Sequence, residues 1–396
     1  MTIIVQKFGG TSLTTAEKRN LAAIQVEKAV KSGKKVVAVV SAMGRHGDPY
    51  ATDSLLSLID SPDSMPDQHQ ALLLSCGETI SAAVFSSVLH EIGLKASVIT
   101  GREAGIHTDR VLNASITKVN PEPILKEFAS SQVVVLTGFQ GMSPFGEVST
   151  LGRGGSDATA CAIAAALDAE ACQLFTDVEG IMSGDPSVIY NTSIVDRISY
   201  DEACHIAYQG AKVIHPKAIE WARSNKVPLW TGALDGESGT WITERHQNGG
   251  PIQSVTAVNH LVQVIVNSQD CDRVFTRVAQ AEISIDLISI QPNEVKFTVD
   301  KADAFKLKEI LLRAGFPYTF KENVSKIALI GERMAGKPGI TSSIVSLLTK
   351  HDIKIWQTAD SHMTFWILTD QHSSAAAQQL LHYFFIESGA EDLSNA

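Results

Sequence analysis

Two glycine-rich segments of the sequence each contain a cationic side chain. Residues 7–12 read KFGGTS at the end of a predicted strand, and residues 152–157 read GRGGSD just before a predicted helix. Glycines let a ligand approach the backbone closely, and free amides at a helix start attract anions such as phosphate. Lys7 would supply a point charge for a phosphoryl group, whereas the planar guanidinium of Arg153 suits a carboxylate or a phosphate.

Each segment also has a purely structural interpretation. Residues 7–12 could form a tight turn between a strand and a helix, and Ser156 or Asp157 could act only as a helix N-cap. The lysine before the two glycines and the hydroxyl residues after them favour ligand binding in the first segment. A cap needs neither three glycines nor an arginine, which favours a functional role for the second segment.

Three further features could contribute to a site. Residues 176–180 (TDVEG) follow a predicted buried strand, where nucleotide contact and an ordinary loop are about equally favoured. Residues 210–216 (GAKVIHP) place Lys212 before a helix that starts at Pro216, as a phosphate contact or as a solvated lysine. Gly77 lies within a helical stretch at a cost of about 1 kcal/mol relative to Ala, so close packing is expected there. The adjacent Glu78 could bind an amine, although an isolated helical Glu is more often solvated.

These cationic and glycine-rich features occur without an evident nucleophile or metal site. The sequence contains no Walker A motif, no GxSxG elbow and no HExxH zinc motif. Phosphoryl transfer depends on positioning and charge neutralisation more than on covalent catalysis. The pattern therefore favours a phosphotransferase.

The first 230 residues alternate between strand and helix patterns. This alternation predicts an α/β domain with a mostly parallel sheet sandwiched by helices, and ligands bind such sheets at the carboxyl ends of the strands. The predicted strands are 2–8, 34–41, 95–100, 132–139, 171–177 and 227–230, and the predicted helices are 16–31, 68–91, 123–130, 157–167, 200–208 and 216–224.

The last third of the chain contains an internal repeat. Turn-rich residues 235–239 and 247–251 indicate a domain boundary before it. Two β-α-β-β-α patterns then follow each other with an offset of about 65–70 residues. Paired small units of this kind more often regulate than catalyse, and the alternative is that they only enlarge the core.

Composition limits the function classes. The chain has 396 residues, 33 Lys plus Arg, 43 Asp plus Glu, and a formal net charge of −10, which disfavours general nucleic-acid binding. We expect no membrane segment, because no apolar run reaches the roughly 18 residues that a spanning helix needs. Five widely spaced cysteines form no disulfide framework or CxxC site, and no signal peptide is evident, so a reduced cytoplasmic enzyme is expected.

At these motifs the chain resembles the aspartate kinases of the amino-acid kinase superfamily. The resemblance rests on the segments KFGGTS at 7–12, SAMG at 41–44, TDSL at 52–55, GE at 77–78, GRGGSD at 152–157, TDVEG at 176–180 and GAKVIHP at 210–216. The tail resembles the paired ferredoxin-like βαββαβ ACT domains of that family, best at residues 337–340 (KPGI). Residues 357–362 (QTADSH) are most similar to the diaminopimelate-sensitive monofunctional type.

The resemblance implies a kinase domain over residues 1–245 and ACT units over 255–322 and 323–390. The implied reaction is ATP-dependent phosphorylation of the L-aspartate side-chain carboxylate to 4-phospho-L-aspartate, the first step toward lysine and diaminopimelate, threonine and methionine. A catalytically weak, effector-binding paralogue that acts as a regulatory subunit is the main alternative. A kinase for another carboxylate is a third possibility, disfavoured by the Thr52, Glu78 and Arg153 set.

The resemblance also implies roles for individual residues. Lys7 would stabilise the transferring phosphoryl group and Asp157 would orient the active site. Those expected to hold ATP are Lys7, Phe8, Gly9, Gly10, Thr176, Asp177, Ser187, Lys212 and Val213. Those expected to hold aspartate are Thr52, Glu78, Arg153, Gly154, Gly155 and Ser156. Mg²⁺ is expected with the nucleotide, with ligands that the sequence leaves unknown, and Ser187 stands where the family commonly has an arginine.

Regulation by an amino acid is implied by the tail. Asp286 matches an ACT position that can hold an effector amine, and the equally favoured alternative is a strand-end Asp facing water. The expected effector is diaminopimelate, lysine or threonine, and the expected assembly is a homodimer through the ACT units.

Overall fold

The computed structural model describes residues 1–210, 213–236, 238–244, 250–332, 334 and 338–389. The chain forms two compact units. The N-terminal unit comprises Met1–Ile181, Ile194–Ala207 and Lys212–Gln247. The C-terminal unit comprises Met182–Ser193, Tyr208–Ala211 and Asn248–Ala396.

The N-terminal unit is built on an eight-stranded sheet. Strands β1 to β12 are, in chain order, Ile3–Phe8, Lys35–Val40, Ala96–Ile99, Ile106–Thr108, Ile116–Val119, Val133–Thr137, Gln140–Met142, Val148–Thr150, Cys172–Thr176, Arg197–Ser199, Leu229–Ala233 and Thr240–Thr243. The large sheet has the order β10-β12-β11-β9-β1-β2-β6-β3, and the β11–β12 pair is antiparallel whereas its other pairs are parallel. The predicted mostly parallel sheet is confirmed.

Helices cover this sheet. Helices α1 to α7 are Ala16–Lys31, Thr52–Leu56, Asp67–Glu91, Glu122–Glu127, Gly155–Ala166, Tyr200–Tyr208 and Pro216–Ser224. Central strands β2 and β6 are almost fully buried, as their runs of valine predict. On one side their side chains join α1 and α3 in a hydrophobic cluster that includes Phe8, Val26 and Phe85.

Helix α3 bears on the expectation that the chain has no membrane segment. Among the described residues, α3 is a helix that is long and apolar enough to cross a membrane by length and composition alone. Half of its most apolar window is nevertheless buried inside the protein, and Ala82, Phe85 and Leu89 pack into the core of the unit. A core helix of a large α/β domain meets the same length and composition criteria, and the burial of α3 agrees with that kind of helix.

Four short strands form a second sheet that the sequence pattern does not predict. Its order is β5-β4-β7-β8, and its strands have three or four residues each. Such short strands have too few alternating positions to give a periodic signal. Strand β8 leads directly into residues 152–157, so this sheet positions the start of the second glycine-rich segment.

The C-terminal unit contains the predicted repeat. Strands β13 to β18 are Ser254–Asn267, Asp286–Ile290, Glu294–Asp300, Tyr318–Ile330, Ile355–Asp360 and Thr364–Asp370, and helices α8 to α11 are Cys271–Gln280, Lys301–Ala314, Ile340–Lys350 and Ser374–His382. Antiparallel pairing gives one six-stranded sheet of order β14-β15-β13-β16-β18-β17. The two β-α-β-β-α patterns thus lie side by side.

The long strand β13 contributes to the hydrophobic cores of both repeats. The first half of β13 places Val255 in one hydrophobic cluster with Ile327, Ile344 and Leu381 of the second repeat. The second half of β13, including Val264, packs in a separate cluster formed by the first repeat. The start of β13 therefore contributes to the core of the second repeat. The division of the tail into ACT units at 255–322 and 323–390 remains a prediction.

An internal stretch of the chain, the 182–193 segment (Met182–Ser193), belongs to the C-terminal unit. Ser183 Oγ lies 2.8 Å from Nε2 of the fully buried His382, and His382 Nδ1 lies 2.9 Å from Glu387 Oε1. Gln379 Nε2 donates to the Val188 carbonyl at 2.8 Å. These contacts hold the residues that follow strand β9 and its turn against the end of the chain.

Candidate active site

Three sequence motifs meet at one edge of the large sheet. Strand β1 lies between β2 and β9, and all three run parallel, so their carboxyl ends are adjacent. The segments that leave these ends are 7–12, 41–44 and 176–180. The expected ligand edge of the sheet is therefore where the glycine-rich turn, the SAMG loop and the TDVEG turn come together.

A cation–carboxylate pair lies at this edge. Lys7 Nζ is 2.6 Å from Asp157 Oδ1, and both side chains are largely buried, with 13% and 15% of their surfaces exposed. Lys7 is at the end of β1, and Asp157 is in the first turn of α5. The structure corrects the N-cap interpretation, because the N-cap of α5 is Gly154 and no side chain caps the helix. Asp157 instead holds the lysine ammonium in place.

Close backbone packing requires the second of the two glycines after Phe8. A Cβ on Gly10 would lie 2.5 Å from the Ala42 carbonyl oxygen, and the Gly44 amide donates to the Gly10 carbonyl at 3.1 Å. A Cβ on Gly9 would lie 3.6 Å from Lys7 Nζ. The turn is thus bound to the SAMG loop at Gly10, where a side chain has no room, whereas a Cβ on Gly9 would make only ordinary contacts.

Glu78 is a buried acid rather than a solvated helical residue. It is 2% exposed on α3, where Oε1 accepts a hydrogen bond of 3.1 Å from the Ala42 amide and Oε2 has no hydrogen-bond partner. Burial raises the pKa of Glu78 from 4.5 to about 8. Gly77 explains the approach of the SAMG loop, because a Cβ there would lie 2.8 Å from the Ala42 Cβ. The expectation of close packing at Gly77 is confirmed.

The GRGGSD segment contacts two features that sequence analysis missed. Gly154 has a φ of 73°, and any Cβ there would overlap the ring of His215, which precedes α7. A Cβ on Gly155 would lie 2.8 Å from Phe139 Cδ2, and a Cβ on Gly138 would lie 2.7 Å from Ser156 Oγ. The predicted strand over 132–139 ends at Thr137, so these two residues form a turn against the glycine-rich segment.

Phe139 has a backbone conformation that side chains rarely adopt. Its φ is 65°, while its amide donates to Thr159 Oγ1 at 3.2 Å and its carbonyl accepts from the Leu151 amide at 2.8 Å. Left-handed backbone at an aromatic residue costs of order 1–3 kcal/mol and persists only where the surroundings enforce it. No sequence signal distinguishes this phenylalanine from a core residue.

The remaining predicted substrate residues, Thr52 and Arg153, belong to the same unit. Thr52 is half-buried at the first position of α2, which packs on α3, the helix of Glu78. Arg153 is exposed and lines a cavity of about 570 Å³ together with Gly152, Lys217 and Trp221. The structure therefore places a guanidinium, a glycine-rich turn and a buried carboxyl group in one unit.

The residues of the TDVEG turn that are predicted to contact ATP, Thr176 and Asp177, have polar partners in the structure. Thr176 Oγ1 lies 3.2 Å from Asp177 Oδ1, and Arg45 forms an ion pair with Asp177 Oδ2. Glu179 of this turn lines a cavity of about 280 Å³ with Ala233, the last residue of the neighbouring strand β11, and Asp235, which follows that strand. The carboxyl ends of β9 and β11 thus border a pocket at the TDVEG turn.

The sequence also predicts ATP contacts at Ser187, Lys212 and Val213. Lys212 lies outside the described residues, and Val213 follows it in the turn before α7. Ser187 belongs to the C-terminal unit, where its amide and hydroxyl both donate to Asp185 Oδ1, at 2.9 and 2.7 Å. Their assignment to ATP stays a prediction.

The predicted effector residue already has a cationic partner. Asp286 is exposed at the start of β14, and its carboxylate forms an ion pair with Lys326, whose side chain is 5% exposed. Its other oxygen accepts from the Leu287 amide at 2.7 Å. An effector amine would have to share or replace the Lys326 ammonium.

Among the described residues, no group of three or more His, Cys, Asp or Glu side chains could hold a metal ion. The Asp157 carboxylate nearest to Lys7 is already engaged in the ion pair.

Comparison with known proteins assigns the two units. Residues 2–230 match the amino acid kinase family, and residues 319–383 match the ACT domain. Aspartokinase 1 of Bacillus subtilis is 42% identical over 97% of this chain and 99% of its own length. The aspartokinase of Geobacillus stearothermophilus is 33% identical over 97% of both chains. This chain belongs to the aspartokinase family.

Solved structures show the same fold. Aspartate kinase of Clostridium acetobutylicum superposes with a TM-score of 0.82 at 21% identity, covering 96% of this chain and 99% of that one. Aspartokinase III of E. coli in complex with aspartate and ADP gives 0.75 at 23% identity, with coverages of 96% and 99%. The predictions of an amino-acid kinase fold, a C-terminal ACT region and a catalytic aspartokinase are confirmed, and the regulatory-paralogue alternative is disfavoured.

Proposed function

We propose that this aspartokinase transfers the γ-phosphoryl group of MgATP to the side-chain carboxylate of L-aspartate at the edge formed by β1, β2 and β9. The largely buried Lys7–Asp157 pair beside the Gly9-Gly10 turn is the observation that carries this proposal. A carboxylate nucleophile is already ionised at neutral pH, so the reaction needs no general base. A carboxylate oxygen forms the new bond to the γ-phosphorus while the bond to the ADP oxygen breaks.

Lys7 neutralises charge on the transferring group. Its ammonium is held by Asp157 and is therefore oriented before the nucleotide binds, which is the condition for effective electrostatic catalysis. Phe8, Gly9 and Gly10 offer main-chain contacts to the phosphates. Thr176 and Asp177 precede Glu179, which lines the cavity that we assign to the nucleoside. Mg²⁺ is carried by the phosphates and is treated as part of the substrate.

Aspartate is held by groups of complementary charge. The ammonium of the substrate pairs with Glu78, whose Oε2 has no partner in the free protein. The α-carboxylate pairs with Arg153, and Thr52, Gly154, Gly155 and Ser156 contribute hydroxyl and main-chain contacts. This arrangement points the side-chain carboxylate toward Lys7.

An ADP-release assay tests the assignment. We expect turnover with ATP and L-aspartate, and at least about 100-fold lower kcat/KM with L-glutamate, because one extra methylene misplaces the reacting oxygen by more than 1 Å. The reaction without acceptor gives the background. Equal rates with glutamate would indicate a kinase for another carboxylate, and ADP release at background with both would contradict the proposal.

The C-terminal unit acts as the regulatory part of a homodimer. The T-state structure of E. coli aspartokinase III holds lysine and aspartate. For this chain we propose diaminopimelate, lysine or threonine as the effector, with Asp286 as a candidate contact for its amine and the ACT repeats as the dimer interface. We place the enzyme in the cytoplasm, at the first step of the pathways to these amino acids and to methionine.

An inhibition titration of the full-length protein checks the regulatory proposal. Couplings between effector and substrate sites are typically 1–3 kcal/mol, so one effector should change kcat or apparent KM by about 5- to 150-fold at saturation. The measurement uses diaminopimelate, lysine and threonine, singly and in pairs, with sedimentation for the oligomeric state. If none of these amino acids changed kcat or KM, the regulatory proposal would be contradicted, and the C-terminal unit would serve only to form the dimer.

A further inference from the structure

Arg45 reaches across the predicted phosphate site. It lies in the loop after β2, and its guanidinium forms an ion pair with Asp177, which follows β9. Strand β1 lies between these two strands, and neighbouring strands are about 4.8 Å apart, so the loop after β2 and the ion pair together bridge roughly 10 Å between β2 and β9. The ion pair therefore passes over the carboxyl end of β1, where the Gly9-Gly10 turn begins.

The main chain at Arg45 is firmly held although its side chain is exposed. The Arg45 amide donates to Asp48 Oδ2 at 2.8 Å, and the Asp48 amide donates back to the Arg45 carbonyl at 2.9 Å. Gly44 has a φ of 96°, which favours glycine, and its amide donates to the Gly10 carbonyl at 3.1 Å. The base of the arginine is thus fixed to the glycine turn itself, whereas 70% of its side chain is exposed.

The guanidinium can change partner at little cost. Exposed ion pairs contribute little to stability, whereas arginine binds phosphate through two parallel, charge-assisted hydrogen bonds. A nucleotide on the glycine turn would place a more highly charged partner beneath the side chain. Release of Asp177 would at the same time free its carboxylate to accept hydrogen bonds from the nucleotide.

We propose that Arg45 is a nucleotide-binding residue that exchanges Asp177 for the phosphates when ATP or ADP binds. The inference rests on the proposed function and adds a residue to that site. The Arg45 side chain would then contact the phosphates from the β2 side of β1, whereas the TDVEG turn lies on the β9 side.

Binding measurements on the full-length protein test this role without relying on turnover. Arg45→Ala should weaken ADP binding by about 10- to 100-fold, the loss expected for charge-assisted hydrogen bonds, with Arg45→Lys intermediate. Affinity for adenosine, which has no phosphate, should stay unchanged, as should KM for aspartate. Arg110→Ala is the matched control, because Arg110 is also exposed and paired with Asp109 in the same unit.

Unchanged or tighter ADP binding by Arg45→Ala would overturn the proposal, since the Arg45 side chain would then only occlude the site. An equal loss of adenosine and ADP affinity would also overturn it, because the defect would lie outside the phosphates. Failure of the wild-type protein to bind ADP would contradict the kinase assignment itself and is a distinct outcome.

Discussion

Lys7→Ala is expected to lower kcat by at least about 100-fold, the usual consequence of removing a charge partner of the transition state. The Lys7 ammonium is the cation that the structure fixes at the carboxyl end of β1, through its 2.6 Å contact with Asp157. Asp157→Asn should give a loss of similar order, because the lysine would no longer be oriented. Both side chains lie at the edge of the sheet, so the fold should persist.

Steady-state kinetics and circular dichroism check this expectation together. Lys34→Ala is a matched control, since Lys34 also forms a 2.7 Å ion pair, with Glu170, away from the proposed site in the same unit. The control should retain wild-type turnover. Near-wild-type kcat in Lys7→Ala would contradict the proposed role of this lysine.

Glu78→Gln should have opposite effects on function and stability. The change removes the carboxylate that we assign to the aspartate ammonium, and loss of one partner of a buried ion pair costs about 3–5 kcal/mol, so KM for aspartate should rise at least about 100-fold. Glu78 has a pKa of about 8 in the folded protein and 4.5 as its ordinary value. The acid therefore stays largely protonated in the unliganded enzyme at neutral pH.

The sign of the pH dependence follows from that raised pKa. Below 4.5 both states hold the proton, and between 4.5 and about 8 only the unfolded chain releases it, so the wild type loses stability as the pH rises through this range. Glutamine does not titrate, so the Tm of Glu78→Gln should exceed that of the wild type by a margin that grows from pH 5 to pH 8. Aspartate binding to the wild type should strengthen over the same range.

Thermal melts and aspartate titrations between pH 5 and pH 9 measure both trends. Glu91→Gln is the control, because Glu91 is an exposed acid at the end of the same helix. It should change neither the Tm profile nor KM. A stability difference for Glu78→Gln that is independent of pH would show that Glu78 is already ionised in the free enzyme.

Local signals explain which elements could be predicted. The helix predicted over 16–31 is observed with the same bounds, because Thr15 accepts a hydrogen bond from the Lys18 amide at its start and Gly33, with a φ of 85°, follows its end. Pro216 fixes the start of α7 in the same way. The three- and four-residue strands β4, β5, β7 and β8 have no comparable signal.

The site was predictable where residue type and spacing are both unusual. Lys7, Gly9 and Gly10 stand out as a cation followed by glycines at a strand end, and the structure places them at the carboxyl end of β1, the edge where ligand binding is predicted. The burial of Glu78 depends on tertiary packing of the SAMG loop against α3, for which Gly77 is the one local sign. The approach of His215 to Gly154 joins residues that are distant in sequence, so neither motif predicts it alone.

The contacts of the 182–193 segment have a consequence for the exchange of domains between related enzymes. A chimera joined near residue 250 would combine one parent's Ser183 and Val188 with the other parent's His382 and Gln379, although these side chains and carbonyls are bonded to each other here. The C-terminal unit therefore cannot be exchanged between enzymes as one continuous segment of the chain. Functional grafting of a foreign regulatory tail should require the donor's own residues 182–193 to be carried across as well, as a second, non-contiguous insert.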